Sequence, residues 1–187
     1  MMHQTPLKPQ LQFLKINSLC KGFHFYFYRM VNKPHVTKEQ AYQKAKHYCA
    51  YQERCHSEVK EKLYSFGLYK NEADEMISKL IEDNYLNEER FAIIYAGGHF
   101  RTKQWGRIKI KYELKQKQIS EYCIKKALAA IDETEYEKTL KKLALLKLNG
   151  LKNEKNIFSK KKKLQDHLRM KGYEGGLINE IIIELVK

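Results

Sequence analysis

Apolar and polar positions along this chain fall into one phrase that occurs three times: a leucine, three variable residues, a turn residue, and an apolar residue that opens a new apolar stripe. It reads Leu63-Tyr64-Ser65-Phe66-Gly67-Leu68, then Leu114-Lys115-Gln116-Lys117-Gln118-Ile119, then Leu168-Arg169-Met170-Lys171-Gly172-Tyr173, with successive leucines 51 and 54 residues apart. Downstream of each closing residue the same offsets are again apolar: Ala73, Ile77 and Leu80; Ile124, Leu128 and Ile131; Ile178, Ile182 and Leu185. Spacings of four and three trace one face of a helix rather than a strand. Repetition at a fixed period of this length marks an array of one supersecondary unit.

The phrase predicts a helix ending of the Schellman type, in which a left-handed residue is followed by an apolar one that packs back on the last turn. Gly67 and Gly172 suit the left-handed position; Gln118 fills it in the middle copy without glycine's freedom. Helix starts agree. Asn87 precedes two acids and is flanked by Leu86 and Phe91, which predicts an N-cap with a hydrophobic staple, and Ile119-Ser120 with Ile124 repeats that arrangement. Further helical stripes lie upstream of each phrase, at Ala41, Ala45, Tyr48 and Cys49, at Phe91, Ile94 and Tyr95, and at Tyr136, Leu140, Leu143 and Ala144. Strand signals shrink to the aromatic run Phe25 to Tyr28, since Ile181 to Ile183 belong to the last helical stripe. The expected fold is all-α: three tandem three-helix modules, about nine helices, in an elongated, curved array. The divisions are an N-terminal extension over 1–36, expected to be disordered, and modules over 37–83, 84–131 and 132–187. Modules this small are marginal alone, so neighbours are expected to pack on one another.

Charge adds a partner class. The net charge is +14, unevenly spread: residues 71–90 sum to −5, residues 99–126 to +7 and residues 141–171 to +9. A highly charged helical surface accounts for any one such run. Two basic segments in repeated units that share a face favour a polyanion, and nucleic acid is the expected one. The first 36 residues hold five bases and no acid, and Lys15, Lys21 and His24 interrupt any signal-peptide core. Translation is expected to begin at Met30, with intact mass as the check. No run spans a membrane, and a cytoplasmic location is expected.

Catalytic and metal chemistry find little support. Cys20, Cys49, Cys55 and Cys123 form no CxxC pair, and His47, Cys49, Cys55 and His56 lack a second ligand pair, so neither metal nor cofactor is expected. Gly97-Gly98 stands alone in a helical context, where it ends a helix or allows close packing rather than cradling phosphate. No hydrolase, protease or kinase signature occurs. The chain is read as a binding protein rather than an enzyme.

The densest binding candidate is Arg101, Lys103, Trp105, Arg107, Lys109, Lys111 and Lys115. Trp105-Gly106 makes a turn before a helix, and Arg107 and Lys111 share one helical face. The exposed N–H groups of that helix start would add phosphate donors. Two readings compete for Trp105: it stacks on a base, or it plugs the joint between helices. Lys160, Lys161, Lys162 and Lys163, with Arg169, form a second candidate; four consecutive lysines point all round a helix and give a field without sequence specificity.

Three stretches resemble the RecX regulatory proteins, modulators of the RecA recombinase: Tyr51-Gln52-Glu53-Arg54-Cys55-His56-Ser57-Glu58-Val59-Lys60-Glu61-Lys62-Leu63, Tyr85-Leu86-Asn87-Glu88-Glu89-Arg90-Phe91-Ala92, and Trp105-Gly106-Arg107-Ile108-Lys109 with Glu113-Leu114. Cys55 departs from the family's capping serine, and Arg107 from a common proline. The resemblance runs from about residue 38 to the C-terminus. It implies a cytosolic, monomeric, non-enzymatic protein of recombination, DNA repair and the SOS response. Its implied role is to bind the RecA–DNA filament and restrain ATP hydrolysis and strand exchange, touching DNA through phosphates. The implied groove contacts are the two basic sets above, while Arg54 and Arg90 are each expected to pair with nearby acids within their own module. The alternative reading of the residues is a stand-alone basic helical module that binds nucleic acid without a recombinase.

Overall fold

The computed structural model describes residues 36–186, and those residues form nine helices and no strand. The helices are α1 (Lys38–Tyr51), α2 (His56–Ser65), α3 (Lys70–Glu82), α4 (Glu88–Lys103), α5 (Arg107–Gln116), α6 (Glu121–Ala129), α7 (Glu133–Asn149), α8 (Ile157–Lys171) and α9 (Gly175–Leu185). The expectations for the N-terminal segment, including the Phe25 to Tyr28 run and the Met30 start, lie outside the described residues.

All three copies of the phrase end a helix in the same way. Leu68 N–H donates to Leu63 O at 3.4 Å, Ile119 N–H to Leu114 O at 3.1 Å and Tyr173 N–H to Leu168 O at 3.2 Å. One residue earlier, Gly67, Gln118 and Gly172 N–H donate to Tyr64, Lys115 and Arg169 O, each at 2.9 Å. These are the two bonds of a Schellman motif, and Gly67, Gln118 and Gly172 sit at φ of 94°, 61° and 89°. The middle copy therefore keeps the left-handed residue without glycine, because Ile119 is buried behind it. A fourth ending of this kind closes α3, where Asn84 has φ 60° and Tyr85 N–H reaches Leu80 O at 2.8 Å. Gly67→Val forces a β-branched residue into the left-handed region and is expected to lower unfolding stability by about 1–2 kcal/mol. An unchanged denaturation midpoint would count against it.

The helix starts hold with two corrections. Asn87 Oδ1 accepts from Arg90 N–H at 2.9 Å and Ser120 Oγ from Cys123 N–H at 3.4 Å, as N-caps should. Leu86 and Phe91, however, are not a staple; they fall in different hydrophobic cores. Gly97 and Gly98 lie inside α4 instead of ending it, and only the Arg101 side chain comes close to either.

Helix packing groups α1–α3, α4–α6 and α7–α9 into three sets. The first set buries its own core, with Ala41, Val59, Leu63, Met76 and Leu80 at its centre. The second and third sets share one continuous core, from Phe91 and Ile110 through Tyr136 and Leu168 to Val186. Cys55, at the start of α2, belongs to that second core, whereas Cys49 belongs to the first. Cys55 caps α2 without a side-chain bond. These cysteines do not gather with His47 and His56, and no group of three or more metal-ligating residues occurs among the described residues. No helix among them is long and apolar enough to cross a membrane.

Candidate functional site

The turn between α4 and α5 is where the basic segment meets the third helix set, and the backbone approach there is close. Gly106 N–H donates to Lys171 O at 2.8 Å and Ile108 N–H to Gly172 O at 3.0 Å. Arg107 N–H donates to the buried Tyr136 hydroxyl at 2.9 Å, and that hydroxyl donates to Glu174 Oε2 at 2.6 Å. A Cβ on Gly106 would overlap the Gly172 carbonyl and meet Tyr173 N at 2.5 Å; one on Gly172 would overlap Cβ of Lys109. The expectation that the start of this helix offers free N–H donors to phosphate is therefore corrected for its first two residues: the third helix set already takes the N–H groups of Arg107 and Ile108.

Arg107 is part of the same joint. Its guanidinium grips Glu133 through two bonds of 3.1 and 2.6 Å, approaches Glu174 at 4.0 Å, and lies 4.2 Å from the centre of the Tyr136 ring. The bond to Glu133 holds the guanidinium above its ordinary pKa and the Glu133 carboxyl below its own. Burial, followed by the bond to Glu174, pushes the Tyr136 phenol well above the usual range. Reversing the charge at Arg107 would place a third carboxylate beside Glu133 and Glu174, so this residue cannot serve as a neutral probe of surface charge.

The other predicted binding residues divide by whether an acid answers them. Lys111 and Lys115 converge on Glu121 at 3.4 and 2.5 Å, and Lys163 pairs with Glu154. Arg101, Lys103, Lys109, Lys160, Lys161, Lys162 and Arg169 have no ion-pair partner among the described residues. Arg54 pairs within its own helix set, 4.1 Å over Tyr48 and 3.9 Å from Glu58, whereas Arg90 departs from the expectation: it bonds Glu53 of the preceding set at 2.5 Å, and Asn84.

Trp105 packs at the joint between helices. Its ring packs against the shared core and stands 4.7 Å from His99, which stacks 4.0 Å from Tyr95. Two ammonium groups, Lys103 at 4.6 Å and Lys109 at 4.7 Å, lie over the same indole. Burial lowers the His99 pKa, which favours the neutral ring within this column. The Tyr95–His99–Trp105 column was not predicted from sequence, although the spacing of Tyr95 and His99 by one helical turn was available to show it.

Comparison with known proteins gives a consistent picture. The family model for the second three-helix domain of RecX matches residues 87–128. The chain is 35% identical over 129 residues to a regulatory protein RecX of Clostridium perfringens, covering 68% of this chain and 60% of that protein. It is 30% identical over 149 residues to the regulatory protein RecX of Bacillus cytotoxicus, covering 79% of this chain and 54% of the other. The chain thus spans little more than half the length of these relatives. Among solved structures it is similar to RecX from Lactobacillus salivarius, with a TM-score of 0.72 at 28% identity, over 79% of this chain and 96% of that one.

Proposed function

This chain belongs to the RecX family, and from that premise we propose that it binds the RecA–DNA filament and restrains its ATP hydrolysis and strand exchange in recombination and repair. The observation that carries the reading is a set of basic side chains left without internal acids on two separate helix sets, Arg101, Lys103 and Lys109 on one and Lys160, Lys161, Lys162 and Arg169 on the other. Unanswered positive charge on a folded surface is a field for polyanions, and contacts on one linked chain reinforce each other through effective concentration. Lys111, Lys115 and Lys163 join the surface by exchanging their carboxylate partners for phosphates, and Arg107 holds the joint. In this reading the helix sets act as three modules over 37–83, 84–131 and 132–187. The protein works as a cytoplasmic monomer, by binding rather than catalysis, with DNA contacts that ignore sequence.

The test is the DNA-dependent ATPase rate of RecA with substoichiometric amounts of this protein at moderate salt. The parent is expected to inhibit. The triple variant Lys160→Glu, Lys161→Glu, Lys162→Glu is expected to need about tenfold more protein for the same inhibition, because phosphate neutralisation is lost. Normal ATPase in the presence of the parent would defeat the proposal and leave a nucleic-acid-binding module without a recombinase partner.

A further inference from the structure

We propose that the α4–α5 turn is a notch for single-stranded nucleic acid, in which Trp105 receives a base and Lys103 and Lys109 receive the adjoining phosphates. The inference deepens the nucleic-acid side of the function above and rests on it for the sign of the partner. Its starting point is a disposition that a purely structural plug leaves unexplained. Packing against the shared core accounts for the inner edge of the indole. It does not account for two ammonium groups brought to one ring without a carboxylate to offset them. Each gains a modest attraction from the π face, but their mutual repulsion opposes that gain. An anion beside the ring removes the repulsion.

A third positive charge stands at the same corner, since Lys171 Nζ donates to the Lys103 carbonyl at 3.1 Å. The acid facing the column is Glu113, which acts on His99 together with Lys103 and Lys117; it lies one turn further along α5 than Lys109, and Lys117 itself is paired with Glu58 at 2.6 Å. The local field at the indole is thus positive.

The platform is also held in place. His99 supports the indole at 4.7 Å and is itself stacked on Tyr95, so the ring is backed by a column rather than by solvent. Gln104, between Lys103 and Trp105, adopts a left-handed φ of 54°, and its carbonyl accepts from the Tyr173 hydroxyl at 3.4 Å. Such a conformation in a residue other than glycine is strained and persists only where surrounding contacts fix it. Here it sets the direction in which Lys103 and Trp105 leave the turn. When a base arrives, the two ammonium groups over the ring swing from the indole to the adjoining phosphates, and the result is the arrangement by which single strands are held without reading sequence: stacking for the base, ammonium for the backbone. Duplex DNA offers phosphates but no free base face, so it fits the lysines and not the indole.

Trp105 is the sole tryptophan of the chain, so its emission reports on the notch directly. The full chain is titrated with oligothymidylate, with oligouridylate and with base-free polyphosphate, while fluorescein-labelled oligothymidylate reports binding by anisotropy. Both oligonucleotides are expected to quench Trp105, polyphosphate to bind with little quenching, and any difference between the first two identifies DNA or RNA as the preferred strand. The Lys103→Gln, Lys109→Gln variant, checked for folding by circular dichroism, is expected to bind oligothymidylate about tenfold more weakly. Its log–log salt slope should be shallower by roughly 1.4, two single-strand phosphate contacts. Trp105→Phe should retain weaker binding by anisotropy. Oligonucleotide binding with unchanged Trp105 emission would overturn the notch and leave the wider basic surface standing. Equal quenching by polyphosphate would reduce it to an anion site without a base. RecA inhibition without any oligonucleotide binding would overturn the notch while preserving the recombinase reading.

Discussion

Gly106→Ala is expected to lower unfolding stability by about 3–5 kcal/mol, combining overpacking against rigid backbone with the loss of two backbone hydrogen bonds. The backbone angles at Gly106 are ordinary, with φ −76°, so alanine meets no conformational penalty there. The cost is steric. The added methyl would overlap the Gly172 carbonyl and crowd Tyr173 N, and neither is a flexible side-chain end that could swing away. Separating the two segments of this joint relieves the overlap only by breaking Gly106 N–H to Lys171 O and Ile108 N–H to Gly172 O. Gly98→Ala is the internal control. Nothing lies within 4 Å of that position, and alanine inside a helix is favoured over glycine by about 0.5–1 kcal/mol. Urea denaturation of the three proteins gives the comparison, and a loss under about 1 kcal/mol at Gly106 would contradict the packing described.

Tyr136→Phe is expected to cost about 2–3 kcal/mol, more than a typical hydrogen bond contributes, because both partners of the lost hydroxyl remain behind. The hydroxyl accepts from Arg107 N–H and donates to Glu174 Oε2, so it closes the first turn of α5 and orients a carboxylate in one stroke. Phenylalanine keeps the ring against Phe100 at 5.7 Å and Tyr173 at 5.0 Å, which confines the change to the polar network. The discriminating readout is hydrogen exchange at the Arg107 amide. It should speed up in the variant by more than the global loss of stability explains; exchange that merely follows global unfolding would mean the hydroxyl does not hold that amide.

What could be read from the sequence was what local chemistry writes locally. The left-handed residue and its following apolar residue lie within six positions of the leucine they pack on, so Gly67 and Gly172 announced helix ends, and the recurrence of the phrase announced Gln118. Asn84 and Gln104 adopt the same left-handed backbone outside the phrase and were missed. The partners of the Trp105-Gly106-Arg107 turn left no such trace. Tyr136 lies 29 residues beyond Arg107, Glu174 38 beyond Tyr136, and Tyr173 69 beyond Gln104. No spacing rule reaches across those intervals. The candidate site was legible as a list of bases, but its division into Lys111, Lys115 and Lys163, which have acids, and Lys103 and Lys109, which share an indole instead, depends on which helices come together. Leu86 shows the same limit: its type and position fit a staple, and packing assigned it to the preceding core.

Among the described residues the two cores mark out two blocks of unequal size. The apolar interior of α1–α3 closes upon itself, while α4–α9 share a single interior. Between the blocks run mainly polar ties, Arg90 to Glu53, Lys117 to Glu58 and Ser57 Oγ to the Lys117 carbonyl, with the Cys55 side chain as an apolar peg. Ionic ties weaken as salt rises, whereas a shared apolar interior does not. Added salt therefore loosens only the seam between the blocks, and modestly, since its two ion pairs are partly buried, and it leaves the shared interior of α4–α9 tight.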